Sequence, residues 1–242
     1  MFYYGSINLT ATDVFKGIDI GIGTWAWGDG VIWNYGSGYD KNDLRKSLDF
    51  AVSSGQAFFD TAEVYSFGKA ESFLGEFMRE GADQVRIVTK FWPMPWRFTR
   101  KDLLKALESS LRRLGRDSVE LYQIHNPFSP VNQTVWLDGM VEAYEMGMIK
   151  GVGVSNFNSK LMEFSYDYLA KRNIQLASNQ VEYHLLNRRI ENNGILKSAN
   201  DHGIKIISYS PLAKGLLTGK YTPEKPIPGL RRFQYGKKRC SA

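Results

Sequence analysis

Four side chains in this sequence carry the residue types for a proton transfer. Asp60 closes AFFDTA, Tyr65 follows in EVYSFG, Lys90 ends VRIVTK, and His125 sits in LYQIHNP. A phenol, with a pKa of about 10, is a poor acid toward a carbonyl oxygen at neutral pH. A neighbouring ammonium favours the phenolate and is expected to lower that pKa, and Lys90 can supply the charge. Burial would discharge the amine, and an ion pair with Asp60 counters this. A neutral His125 can hydrogen-bond and orient a substrate oxygen. Such a set protonates an alkoxide as it forms. Three scattered histidines and one cysteine offer no metal-ligand spacing. No metal is expected, and the electrons are assigned to an organic cofactor that delivers hydride.

Taken singly, each residue has a plainer role. A strand-end aspartate caps a turn, a tyrosine lies half-buried with its hydroxyl in water, and a lysine extends its ammonium to solvent. Asp60, Lys90 and His125 end apolar runs that alternate with helical patterns, and Tyr65 lies one short loop beyond the first of them. Candidate strands span 18–25, 57–62, 85–91, 118–125, 149–156, 176–183 and 205–212. Several are nearly continuous in Val, Ile, Leu or Phe, as in strands covered on both faces. The clearest helix is TRKDLLKALESSLRRLG, with Thr99 as N-cap, an apolar stripe of Leu103, Leu107, Leu111 and Leu114, and Gly115 at the end. A helix is also expected through RRIENNGILKSANDHG, with His202 capping its end. Strand–helix–strand repetition implies right-handed crossovers and a parallel sheet. The first strand runs into GIGTWAWGDG, which lacks GxGxxG spacing, and no GxxxxGK[ST] is present. A barrel is therefore favoured over a doubly wound sheet, and barrel sites lie at the carboxyl ends of strands. Ser155 and Asn156, Asn179 and Gln180, and Tyr209 and Ser210 join the four residues there.

The chain has 242 residues, is 43% hydrophobic and carries a net charge of +6. No apolar run is long enough to span a membrane, and the N-terminus shows no signal or transit pattern. The lone Cys240 fits a reducing compartment, so a cytoplasmic location is expected. The stretch RRFQYGKKR at 231–239 holds five positive charges, and the rest is near neutral. It is read as a solvated tail, with no nucleic-acid or membrane partner.

The segments GTWAWG, FDTAEVYSFGKAESFLG, IVTKF, LYQIHNP, GVGVSNF, SNQVEYHLL and YSPLAKGLLTGKY resemble the aldo-keto reductases. The wording of IVTKFWPMPWRFTRKDLLKALESSLRRL is closest to the cyanobacterial and plant-plastid branch, which makes a plastid the alternative location. The resemblance implies an α/β fold, a (β/α)8 TIM barrel, and NADPH-dependent reduction of a small carbonyl substrate. It implies a catalytic tetrad of Asp60, Tyr65, Lys90 and His125, with Tyr65 as general acid. It places Ser155, Asn156 and Gln180 on the nicotinamide carboxamide and Tyr209 on the nicotinamide ring. Ser210, Leu212 and Gly215 fall near the pyrophosphate, and Thr24 and Trp25 where the first loop meets cofactor and substrate. Trp25, Trp92 and Trp96 are candidates to line an apolar pocket. An N-cap for the next helix is the other reading of Ser155 and Asn156.

The family-like core covers 18–222 of a single domain over 1–242, and the tail 223–242 diverges. Strand 8 and the C-terminal helices are expected to be missing, which would leave strands 1 and 7 as edges open to self-association. A shortened relative acting as a binding or regulatory subunit is therefore the alternative to a working reductase.

Overall fold

The computed structural model describes residues 14–81, 84–222 and 225. The basic stretch 231–239, Cys240 and the first thirteen residues lie outside the described residues. All seven expected strands form, shorter than their apolar runs: β1 (Ile22–Gly23), β2 (Phe58–Asp60), β3 (Arg86–Phe91), β4 (Leu121–Ile124), β5 (Val152–Ser155), β6 (Leu176–Glu182) and β7 (Lys205–Tyr209). Each pairs in parallel with its sequence neighbour, in the order β1 to β7. Among the described residues, β1 and β7 are the edges. Every residue of β4 and β5 is buried, whereas Lys205 and Ser208 of β7 are exposed. A central strand has neighbours on both sides and a helix outside; an edge strand lacks one of these covers.

Six helices connect the strands: α1 (Lys41–Ser53), α2 (Lys69–Arg79), α3 (Arg100–Leu114), α4 (Gln133–Glu145), α5 (Ser159–Ala170) and α6 (Ile195–Asp201). In α3 the Asp102 carboxylate accepts the Thr99 N–H at 2.9 Å, and Gly115 ends the helix in a left-handed conformation. The expected stripe of Leu103, Leu107, Leu111 and Leu114 is buried. The helix expected over 188–203 does not run through. It divides into a 3-10 turn at Arg189–Glu191 and the short α6, because Gly194 takes φ +86° between them. His202 does follow α6 as its C-cap, with its ring 4.3 Å from Tyr166.

The main core lies between strands and helices, around Phe59, Leu74, Leu107, Tyr122, Trp136 and Phe157. A second cluster lies on the other face of the strands, with Phe58, Val88 and Leu121 packed against Val14 and Ala177. Side chains two residues apart share a strand face, so the same face carries Asp60, Lys90 and Gln123 further along. Gln123 donates to Ser178 Oγ at 3.0 Å, and Gln180 donates to Asp60 Oδ1 at 2.7 Å, linking β4 to β6 and β6 to β2. The inner face thus changes from apolar to polar toward the carboxyl ends, where the site lies.

Candidate active site

Asp60 and Lys90 end up side by side because β2 and β3 pair in register, with Asp60 opposite Val88. The fully buried Lys90 ammonium has three neighbours: Asp60 Oδ2 at 2.7 Å, the Thr61 carbonyl at 2.8 Å and the Tyr65 hydroxyl at 3.4 Å. The turn after β2 brings Tyr65 back over this amine, Nζ lying 5.0 Å from the ring centre. His125 follows β4, and its N–H donates to the Phe91 carbonyl at 2.8 Å. Its imidazole meets the Tyr65 ring edge-on at 5.7 Å and the Trp92 ring edge-on at 4.9 Å. Four residues from three strand ends thus form one contiguous group.

Burial alone would lower the Lys90 pKa, but Asp60 and the Tyr65 oxygen outweigh it, and the amine is held above its ordinary value. It remains an ammonium at neutral pH. Tyr65 departs from the sequence expectation. Burial raises its pKa more than Lys90 lowers it, and Asp60 adds to the rise. The phenol therefore stays protonated, and the ammonium limits the rise instead of producing a net fall. Burial first, then the Lys90 charge, pushes the His125 imidazole down to about 2. It is neutral, and its Nδ1 is buried without a partner among the described residues. Placing the single proton on Nε2 leaves only a lone pair orphaned at Nδ1, and buried orphan donors are the rarer case.

The His125 shift makes a prediction about stability. An unfolded-state pKa of about 6.5 lies above the folded value of about 2, so stabilisation is complete above pH 6.5 and is lost as pH falls below it. Between pH 7.5 and 5, wild type should lose about 2 kcal/mol more unfolding free energy than His125→Gln. Urea unfolding of both proteins at the two pH values measures the difference. Equal losses would show that the imidazole is not buried neutral.

The remaining expected residues divide by what they touch. Thr24 is buried, and both its N–H and its hydroxyl donate to the Asp60 carbonyl, at 2.9 and 3.1 Å. It ties the loop after β1 to β2. Trp25 is half-buried and meets Trp33 edge-on at 5.4 Å. Ser155 donates to the Gln180 carbonyl at 2.9 Å. Asn156 donates to the His125 carbonyl at 3.2 Å and accepts the Tyr209 hydroxyl at 3.0 Å. Ser155, Asn156, Gln180 and Tyr209 are thus joined to the four central residues through one hydrogen-bonded network. Asn158, not Ser155 or Asn156, caps the helix after β5, accepting the Leu161 N–H at 2.9 Å. Burial, then Glu182 and Tyr65, pushes the Tyr209 phenol up to about 12. Trp92 stands against His125, whereas Trp96 is 68% exposed.

Beyond β7 a cavity of about 410 Å³ is lined by Ser210, Leu212 and Gly215, and also by Trp33, Lys214 and Lys220. The last three were not foreseen. The signal for the lysines was present in LAKGLLTGK, but only the fold brings Lys214 Nζ to 5.5 Å from the Trp25 ring. Burial lowers the Lys214 pKa. The backbone there turns through left-handed conformations at Ser210, Ala213, Lys214 and Gly215. Two amines on a strongly turned loop beside the Tyr209 network fit the phosphates of a dinucleotide. Another unforeseen pair, Glu63 and Arg97, holds the Trp92 backbone: the carboxylate accepts its N–H at 2.7 Å and the guanidinium donates to its carbonyl at 2.8 Å.

Among the described residues, no group of three or more His, Cys, Asp or Glu could hold a metal, and no helix is long and apolar enough to cross a membrane. The profile of the aldo/keto reductase family matches residues 19–235. The chain is similar to the chloroplastic pyridoxal reductase of Arabidopsis thaliana, 36% identical over 229 residues that cover 89% of this chain and 62% of that protein. It is 34% identical to the aldo-keto reductase YhdN of Bacillus subtilis, over 93% of this chain and 67% of the relative. Among solved structures, an aldo-keto reductase from Klebsiella pneumoniae in complex with NADPH superposes with a TM-score of 0.68 at 29% identity, covering 83% of this chain and 66% of the other. The chain thus spans about two thirds of the length of these proteins.

Proposed function

Because the chain belongs to the aldo/keto reductase family, we propose that it reduces an aldehyde or ketone to an alcohol with NADPH, Tyr65 giving the proton. The observation that carries this reading is the Lys90 ammonium in contact with both the Asp60 carboxylate and the Tyr65 hydroxyl. NADPH, when bound, supplies the hydride. Lys214 and Lys220 would meet its phosphates, and Asn156, Gln180 and Tyr209 would border the nicotinamide. His125 presents Nε2–H to the carbonyl oxygen and orients it. As negative charge grows on that oxygen, Tyr65 transfers its proton there. Lys90 stabilises the phenolate left behind, and Asp60 keeps Lys90 charged. The high resting pKa of the phenol suits this sequence, since its proton leaves only for the more basic alkoxide. The half-buried Trp25 and Trp92 favour an apolar substituent on the substrate.

Titration with NADPH, followed by nicotinamide fluorescence, tests the reading together with turnover of a panel of aromatic and aliphatic aldehydes. Saturable binding at micromolar concentration with NADPH consumption is expected. Binding without turnover of any aldehyde would instead support a binding or regulatory subunit. No binding would sink the reductase reading and leave the binding or regulatory subunit.

A further inference from the structure

Tyr65 opens a turn with three consecutive residues in left-handed conformation: Ser66 (φ 50°), Phe67 (φ 55°) and Gly68 (φ 84°). The Phe67 side chain is fully exposed, so its burial does not hold the turn. Ser66 donates to the Trp27 carbonyl at 3.0 Å, which anchors one end. The other end rests on Arg113 of α3. A Cβ placed on Gly68 would lie 2.8 Å from both Cδ and Nε of Arg113, and 3.2 Å from Cζ, so the guanidinium stem forms the floor of the turn.

That floor is itself held. Arg113 Nε donates to Glu71 Oε2 at 2.7 Å, and a terminal nitrogen of the guanidinium lies 2.6 Å from the same oxygen and donates to Ser110 Oγ at 3.1 Å. Glu71 is wholly buried, and its second oxygen accepts the Thr89 hydroxyl at 2.5 Å. Thr89 directly precedes Lys90. At the same level α2 and α3 touch backbone to backbone, since a Cβ on Gly75 would fall 2.2 Å from the Arg113 carbonyl oxygen. Arg113 therefore has little freedom to move.

We propose that Arg113, aligned by Glu71, is a positioning residue that sets the Tyr65 hydroxyl against the Lys90 ammonium. The claim rests on the reductase reading for its kinetic consequence but not for its geometry. The Lys90–Tyr65 contact is 3.4 Å, at the long end of a hydrogen bond, so a shift of a few tenths of an ångström in the turn breaks it.

The test uses Arg113→Lys, which keeps the charge opposite Glu71 but removes the flat, forked stem, and Ser110→Ala, which removes one anchor and leaves the ion pair. For each we would measure melting temperature, NADPH affinity, kcat and KM, and the Tyr65 ¹³Cζ resonance assigned by difference from Tyr65→Phe. For Arg113→Lys, kcat should fall about 10- to 100-fold with KM and NADPH affinity within about threefold, and the Tyr65 resonance should move. Ser110→Ala should move the same quantities less, in the same order. A lower melting temperature with unchanged kcat and an unchanged Tyr65 resonance would overturn the proposal and leave Arg113 as a helix tie. If Arg113→Lys does not fold, Ser110→Ala decides by the same two readouts. If wild type shows no turnover, the reductase reading fails, and the Tyr65 resonance alone decides the positioning claim.

Discussion

Replacing Tyr65 with phenylalanine should lower kcat for carbonyl reduction by about a hundred- to ten-thousand-fold, the usual worth of a positioned proton donor. The fold should survive. Without the hydroxyl, the Lys90 ammonium keeps its bonds to Asp60 at 2.7 Å and to the Thr61 carbonyl at 2.8 Å, so no buried charge is orphaned. The turn is anchored through Ser66 and Gly68, not through the phenol. NADPH affinity should stay within a few-fold, because Lys214 and Lys220 lie in a cavity that Tyr65 does not line. Stopped-flow turnover, nicotinamide fluorescence and thermal melting would check the three parts separately. A variant that reduces aldehydes as fast as wild type would remove Tyr65 from the chemistry.

Lys90→Met should damage both activity and stability. Removing one partner of a buried ion pair costs about 3–5 kcal/mol. Here the lower end applies, because Asp60 is 16% exposed and still accepts from Gln180 at 2.7 Å. A loss of about 3 kcal/mol corresponds to a fall of about 6–12 °C in Tm for a chain of this size. The kcat should drop at least as far as in Tyr65→Phe, since a phenolate would have to form in a buried site with no cation beside it. Adding Asp60→Asn to Lys90→Met separates the two effects. The second change removes the unpaired carboxylate, so the double variant should regain part of the lost Tm while kcat stays low. Recovery of kcat along with Tm would show that Lys90 acts only through stability.

Asp60, Tyr65, Lys90 and His125 were legible because strand ends in a parallel α/β chain point to one face, and acid, phenol, amine and imidazole on that face are not explained by packing. The capping of α3 was legible for a local reason, since Thr99 acts on the first turn of the helix and Gly115 directly follows its last. The break at Gly194 was missed because a glycine inside an amphipathic pattern does not announce its φ; the pattern continued through it. Glu71 and Arg113 lie on two different helices, and nothing local in the sequence tells that Gly75 lets those helices close until the Glu71 carboxylate is buried against the guanidinium.

By itself the sequence determined the alternation of strands and helices, the parallel order, and which four side chains stand at the carboxyl ends. These follow from periodicity and residue type, both properties of short stretches. Tertiary structure alone decided that Gln180 bonds to Asp60 from 120 positions away, that Thr24 serves β2 through the Asp60 carbonyl, and that the phenol of Tyr65 sits above its ordinary pKa. Each of those depends on distances between segments and on how much water packing removes. A pattern of hydrophobic residues specifies a face, but the balance between burial and one ammonium 3.4 Å away exists only once the faces have met.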